Sequence, residues 1–320
     1  MKHILLTCLA LILCASLSGC MPGQGAGDRA DAAVPGIPAK LERNGEGVPV
    51  LSVYDAAAGA IERMDLETYV AGVVAGEMKN DWPMEALKAQ AILARTFVLR
   101  FCQDKTSKYD GADISTDVAE AQAYAAADVN ARVRRAVEAT RGQVMSFGGE
   151  YPYAWFHAHS GGMTELPSVA LDFRGGDPDY LRPTASGESE KAPDGAKQWT
   201  VTFTADEVRK AAAEAGLRVD ALDSLRIGER GASGRAATLL INGESVSAPS
   251  FRIRVGANRL RSTLIDQIRI DGDRITFTGR GYGHGVGMSQ WGAYAMAEEG
   301  KTAAEIIGHY FRDVDIVRAY

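Results

Sequence analysis

Usable cysteine is scarce in this sequence. Cys8, Cys14 and Cys20 all fall in the first twenty residues and leave Cys102 alone in the body, so no intrachain disulfide is expected. A basic surplus is missing as well. With 35 Lys and Arg against 41 Asp and Glu the net charge is -6, which gives no electrostatic footprint for nucleic acid, and none is expected as a partner. No repeat period and no long charge run appears. The Gly-x-Ser-x-Gly elbow of a Ser/His/Asp hydrolase is also absent, and neither Ser160 nor Ser289 has the flanking pattern. What is present is ordinary: 320 residues, 46% hydrophobic and 24% charged, enough to bury a core in one large domain or two smaller ones.

The N-terminus reads as an address. Met1-Lys2-His3 is a short cationic start, and 4–19 has no ionisable group apart from the thiols of Cys8 and Cys14. Such a run falls short of the ~20 apolar residues of a membrane span and suits a signal-peptide core. It closes on Leu17-Ser18-Gly19-Cys20, which resembles a bacterial lipobox; an uncleaved anchor or an ordinary secretory peptide is the alternative. On the lipobox reading 1–19 is a lipoprotein signal peptide and Cys20 the lipid attachment point. The protein is then extracytoplasmic, held to a bacterial membrane by acyl chains, each buried methylene contributing about 0.8 kcal/mol. Gly, Ala and Pro then dominate up to about Val48 (Pro35-Gly36-Ile37-Pro38 among them), predicting a flexible tether over 20–47 and a catalytic domain over 48–320.

The domain opens with a short strand over 48–53. Over 64–78 apolar residues stand at 66, 69, 70, 73, 74 and 78, a helical spacing. Asp81-Trp82-Pro83 stops that helix and starts a second, running to about Cys102. A third is predicted over 129–141, followed by Gly142. Next, 144–147, Gly148-Gly149 and 151–157 read as a hairpin. After a polar loop over 183–196 come a strand at 199–203, a helix capped near Thr204, and a series of short strands through Thr278 with turns at Asn242-Gly243 and Asp271-Gly272. That makes 183–278 a β-rich subdomain. The stretch 290–310 returns to helical spacing. This order argues for an α+β fold, a helical N-terminal segment packed on mostly antiparallel β-structure.

Glu77 is the most informative position. It shares a helical face with Val73, Val70 and Leu66, so its carboxyl projects from the apolar side. Partial burial without a matched cation raises a carboxyl pKa and suits a proton donor; the alternative is a core-edge glutamate paired at a helix end. Lys88 and Arg95, seven apart on the second helix with Gln90 near them, form a basic stripe. It is either a grip on sugar hydroxyls or a solvated face. His157 and His159 alternate on a strand, but no cysteine lies nearby, so no metal and no cofactor is expected, and the pair is read as polar contacts. From Gly279 to Gly292 glycine alternates with larger side chains. A dinucleotide loop is only weakly echoed. A rigid loop exposing Tyr282, His284, Ser289 and Gln290 fits better, with Trp291 a sugar platform or a core anchor, and His284 a helper to Glu77 or a buried hydrogen-bonding histidine.

Taken in order, Met64 through Met78, Trp82-Pro83-Met84-Glu85-Ala86-Leu87-Lys88-Ala89-Gln90-Ala91, Ala94-Arg95-Thr96, Phe156-His157, Ser160-Gly161-Gly162-Met163-Thr164-Glu165, Arg254-Val255, Leu260-Arg261-Ser262-Thr263 and Gly279 through Ala293 resemble the stage II sporulation protein D (SpoIID/LytB) family. The resemblance spans about 48–311. It implies a peptidoglycan lytic transglycosylase that cleaves between N-acetylmuramic acid and N-acetylglucosamine without water, leaving anhydro-muramic ends on peptide-free strands. It implies Glu77 as the catalytic residue and Lys88 and Arg95 as basic residues at the substrate groove. His157, Tyr282, His284, Ser289 and Gln290 are the further substrate-binding candidates. It also implies an N-acetylmuramoyl-L-alanine amidase acting upstream. Some relatives bind zinc through cysteines that are missing here, and the lipobox replaces the membrane helix of sporulation members, so a role in sporulation does not follow. The competing reading is a non-catalytic peptidoglycan-binding or amidase-enhancing module.

Overall fold

The computed structural model describes residues 32–320. The signal peptide expected over 1–19 and the lipidation expected at Cys20 fall outside the described residues. Strands β1 (Glu42–Arg43), β2 (Pro49–Asp55) and β3 (Ala60–Asp65) form an antiparallel meander. It delivers the chain into helix α1 (Leu66–Glu77), whose N-cap Asp65 accepts from the Thr68 amide at 2.9 Å. Helix α1 is apolar around most of its circumference, with Leu66, Tyr69, Val70, Val73 and Val74 buried, which makes it an interior helix. Trp82-Pro83 then turns the chain into α2 (Met84–Asp104), the spine of the first core. The short strand β4 (Ile114–Ser115) adds parallel to β2, and α3 (Ala131–Ala139) starts where Asn130 caps the Arg132 and Val133 amides, both at 2.9 Å.

Three expectations change in this half. The packed chain begins by Ala32, not at residue 48: Ser146 Oγ donates to the Ala33 carbonyl at 2.6 Å, and Leu41 and Val48 are buried in the core. The Gly and Pro content that suggests a tether over 32–47 instead shapes a segment laid along the surface of the first core. The predicted hairpin also does not form. Strand β5 (Gln143–Ser146) and the later β6 (Phe156–His157) do not pair, and only Phe147 and Glu150 bridge across the glycines. Pro152 removes a ladder donor, the Arg100 guanidinium takes the Tyr151 carbonyl, and Tyr180 OH takes the Tyr153 amide at 2.8 Å. Finally, β3 precedes α1 where no strand is expected.

After the short helices α4 (Pro167–Ala170) and α5 (Asp194–Lys197) the chain builds a second core. Its elements are β7 (Gln198–Thr204), α6 (Ala205–Glu214), β8 (Leu225–Ile227), β9 (Thr238–Ile241), β10 (Glu244–Ser247), α7 (Ala248–Gly256), β11 (Ile265–Asp271) and β12 (Arg274–Arg280). Thr204 and Glu207 close a capping box on α6. Both sheets, β10-β9-β8 and β11-β12-β7, are antiparallel. The β9–β10 turn has positive φ at Asn242 and Gly243, and the β11–β12 turn at Gly272, as the I′ and II′ geometries require. Helix α7 interrupts the expected series of short strands. Phe251-Arg252-Ile253-Arg254-Val255 alternates like a strand, but Pro249 and the Ser247 cap, accepting from Ser250 N at 3.3 Å, start a helix and leave Ile253 exposed.

The chain returns through the glycine-rich loop to the first core. Strand β13 (Met288–Ser289) pairs parallel with β6, α8 (Gln290–Glu298) and α9 (Ala303–Tyr310) follow, and β14 (Asp315–Arg318) pairs antiparallel with β5. The predicted helix over 290–310 is thus two, separated by Gly300 and restarted by a Thr302–Glu305 capping box. The fold is α+β, as expected. No described helix is long and apolar enough to cross a membrane.

Candidate functional site

Glu77 ends α1, half-buried, and its position rests on two small residues. A Cβ at Gly72 would stand 2.2 Å from the Tyr124 ring and one at Gly76 would stand 2.7 Å from the Ala123 carbonyl carbon. Only hydrogen at these positions lets the 121–125 segment lie across the helix, where the Ala125 amide donates to the Gly72 carbonyl at 2.9 Å and the Ala123 amide to Glu77 Oε1 at 2.7 Å. Burial raises the Glu77 pKa, and the Ala123 amide and the Gln290 side chain oppose it. The C-terminal end of a helix also disfavours a negative charge. A carboxyl in this setting keeps its proton to higher pH than a free glutamic acid.

A set of side-chain amides borders this group. Gln290 Nε2 donates to the Glu77 carbonyl at 3.2 Å and lies 3.5 Å from Gln90 Oε1. Gln90 and Gln122, both buried, keep amide atoms without a protein partner. Trp82, Trp291 and Tyr294 pack together beside them, ring centroids 4.5 to 5.2 Å apart. Trp291 is 7% exposed, which makes it a core anchor rather than a sugar platform.

The glycine-rich loop folds inward. Gly281, Gly283, Gly285 and Gly287 all have positive φ. A Cβ at Gly285 would stand 2.0 Å from Arg235 Nε and one at Gly287 2.0 Å from the Trp155 carbonyl oxygen. Ser289 and Gln290, expected on the outside, are both buried. The Ser289 hydroxyl donates to Glu188 at 2.9 Å and caps α8 by accepting from Gly292 N at 3.3 Å. Glu188 also accepts from the Ser160 amide at 2.8 Å and from its hydroxyl, so one buried carboxylate joins the Ser160-Gly161-Gly162 turn to the start of α8 and fixes the residue next to Gln290. His157 is buried too. Its Nδ1 lies 3.1 Å from the Val286 carbonyl, and burial holds its pKa well below the ordinary value. His284 takes the Val286 amide on Nδ1 at 3.0 Å, and burial, with Arg252 and Arg235, pulls it down to about 3. Both rings are neutral, 5.6 Å apart, and neither hydrogen-bonds Glu77. Tyr282 stays partly exposed under Arg261, 5.4 Å from its ring.

The basic stripe splits: Arg95 lies in the core, whereas Lys88 lines a cavity of about 240 Å³ with Glu85, Ile92 and Thr140. Arg95 is completely buried, its Nε and Nη2 on the two oxygens of Glu67 at 3.1 and 2.6 Å and its Nη1 on the Gln143 carbonyl at 2.8 Å. Glu67 further accepts from the Gly142 amide at 3.0 Å and Tyr320 OH at 2.6 Å. Lys88 pairs with Glu85 at 2.7 Å, and Glu85 accepts from Ala303 N at 2.9 Å, tying α2 to α9. Gln90, two residues from Lys88, is about 200° away round the helix, on the face that meets α8. Of the expected contact residues, Gln290 hydrogen-bonds Glu77. Among the described residues no group of three His, Cys, Asp or Glu side chains could hold a metal ion. Sequence reasoning missed Glu188, Gln122 and Ala123: the first stands in a polar loop, and the others act through chain contacts that no local pattern reports.

Comparison with known proteins places these features in a family. Residues 54–147 match the family model SpoIID, described as stage II sporulation protein, and residues 185–287 match a domain of unknown function, DUF8618. The chain is 32% identical over 283 residues to stage II sporulation protein D of Bacillus subtilis (strain 168), covering 84% of this chain and 79% of the relative. It is 33% identical over 281 residues to stage II sporulation protein D of Bacillus amyloliquefaciens, covering 83% and 78%. It is also 28% identical over 284 residues to a protein named amidase enhancer from Bacillus subtilis (strain 168), covering 75% of this chain and 39% of that relative. With a half-buried glutamate at the end of α1 and this similarity along most of its length, the chain belongs to the SpoIID family.

Proposed function

We propose that the protein acts on the bacterial cell wall as a lytic transglycosylase, cleaving MurNAc–GlcNAc bonds in peptide-free glycan strands. One observation carries the reading: Glu77 is a half-buried carboxyl held by a single backbone amide, its pKa raised by burial rather than by a neighbouring carboxylate. A single such group suffices. Protonated Glu77 gives its proton to the glycosidic oxygen as the C1–O bond breaks. The resulting carboxylate then accepts the proton of the muramic acid's own hydroxyl as that oxygen bonds to C1, which returns Glu77 to its acid form. No water enters, and no second carboxylate is needed to activate one. Amide atoms of Gln90 and Gln122 that have no protein partner, with Gln290 beside the acid, support the reading as polar groups for a glycan. An amidase that strips stem peptides acts upstream, and the Leu17-Ser18-Gly19-Cys20 sequence supports a lipid anchor facing the wall.

The relative named amidase enhancer favours a second reading, a wall-binding module that stimulates an amidase without cleaving glycan. Mass spectrometry of purified peptide-free strands separates the two. Anhydro ends from the wild type and none from Glu77→Gln support the transglycosylase; strand binding without any product supports the module.

A further inference from the structure

A cleft of about 360 Å³ lies between the C-terminal half of α2 and the loops after β5 and α4, lined by Phe97, Arg100, Asp104, Lys105, Tyr153, Trp155 and Phe173 among others. Tyr153 and Trp155 stack with centroids 4.5 Å apart at 10°, and Phe173 stands edge-on to both at 5.3 Å. The Arg100 guanidinium lies over the Tyr153 ring, 3.6 Å from its centroid, and pairs with Asp104 at 3.1 Å. All three rings remain partly exposed. Aromatic surface of this kind accepts the C–H face of a sugar ring, and the ion pair beside it offers donors and acceptors for hydroxyls. Lys105 also lines the cleft, so two cations stand there against the one carboxylate of Asp104.

The cleft is joined to the Glu77 region by one extended segment. The Tyr151 carbonyl is bound by Arg100, the Trp155 carbonyl accepts from Met288 N at 3.1 Å, β6 pairs with β13, and the Ala158 carbonyl accepts from Trp291 N at 3.1 Å, next to Gln290. Helix α2 runs beside it. Gln90 and Phe97 share a helical face, and the ten residues from Gln90 to Arg100 set the two sites about 15 Å apart along that helix. We propose that this cleft is a second glycan subsite, holding an N-acetylhexosamine unit of the strand whose cleavage takes place at Glu77. The nature of the ligand rests on the transglycosylase reading; the existence of a ring-lined sugar site does not require turnover.

The test uses the full chain carrying Glu77→Gln, so that strands are bound without being cut, and titrates it calorimetrically with long peptide-free glycan strands. Adding Trp155→Ala or Phe173→Ala is expected to weaken strand binding about tenfold, with the circular dichroism spectrum unchanged. Phe173 stands on an outer loop and decides the matter if Trp155→Ala fails to fold. Strand binding equal to the parent in Phe173→Ala overturns the subsite. Ring-dependent binding, with no anhydro ends made by the protein that keeps Glu77, upholds the subsite and sinks the transglycosylase. Anhydro ends made by the protein that keeps Glu77, with ring-independent binding in the Glu77→Gln background, do the reverse.

Discussion

Helix α1 carries one glutamate at each end, and the two have opposite fates. Glu67, in the first turn, receives two guanidinium contacts from Arg95, the Gly142 amide and Tyr320 OH. Glu77, in the last turn, receives one backbone amide. The positive end of the helix favours the first charge and the negative end disfavours the second. Four donors, two of them from a guanidinium, converge on Glu67, so that carboxylate stays charged and ties α1, α2 and the C-terminus together. Burial without a cation leaves Glu77 a proton to give. The level of compensation, more than burial itself, separates the architectural carboxylate from the reactive one.

The largest effect expected from breaking this contrast is at Glu77. Glu77→Gln should lower strand cleavage by about 10²–10⁴, read by quantifying anhydro ends, while leaving the protein folded. Arg95→Met should do the opposite, costing roughly 3–5 kcal/mol of stability by leaving Glu67 buried and unpaired. Chemical denaturation would read it, and adding Glu67→Gln should recover part of the loss. Gly76→Ala tests the placement of the acid: the new Cβ meets the Ala123 backbone, which has to move. A loss of about 1–3 kcal/mol is expected, together with reduced cleavage. If thermal unfolding and cleavage both match the wild type, the 121–125 segment does not set Glu77.

Two pH dependences sharpen the same comparison. A raised Glu77 pKa means that cleavage declines as pH rises through that pKa. It also means that the stability Glu77 supplies is present at low pH and lost as pH rises, so Glu77→Gln should gain stability over wild type at pH 8 relative to pH 5. His284 has the reverse sign. Its pKa, pulled down to about 3, keeps the folded ring neutral, so stability is full above the unfolded value of about 6.5 and falls as pH drops from there toward 3. Melting curves at pH 7, 5 and 4 check this. The smallest effect is expected at Lys88, whose partly exposed pair with Glu85 is worth less than about 1 kcal/mol; Lys88→Ala should leave cleavage within about twofold.

What the sequence made legible was local. The 3.6-residue period exposed α1 and the inward side of Glu77, Trp82-Pro83 marked the start of α2, and the Asn-Gly and Asp-Gly turns marked both hairpins of the second core. Pairings across the chain left no local trace. Strand β5 finds β14, and β6 finds β13, over separations no turn signal spans. Arg95 was unreadable for another reason: a charged side chain on a helix is usually solvated, and its burial follows from Glu67 on a different helix. Helix α7 was hidden by an alternating pattern that belongs to strands, at the expense of an exposed Ile253. Glu188, which sets the start of α8, stands in a loop whose composition reads only as polar.

The central claim is that a lone under-compensated carboxyl cuts glycan without water. Cleavage of peptide-free strands in H₂¹⁸O tests it most directly by mass spectrometry. The account predicts anhydro ends with no ¹⁸O at the cleaved anomeric carbon, and their disappearance in Glu77→Gln. Incorporation of ¹⁸O into reducing ends, or undiminished cleavage by Glu77→Gln, would contradict it.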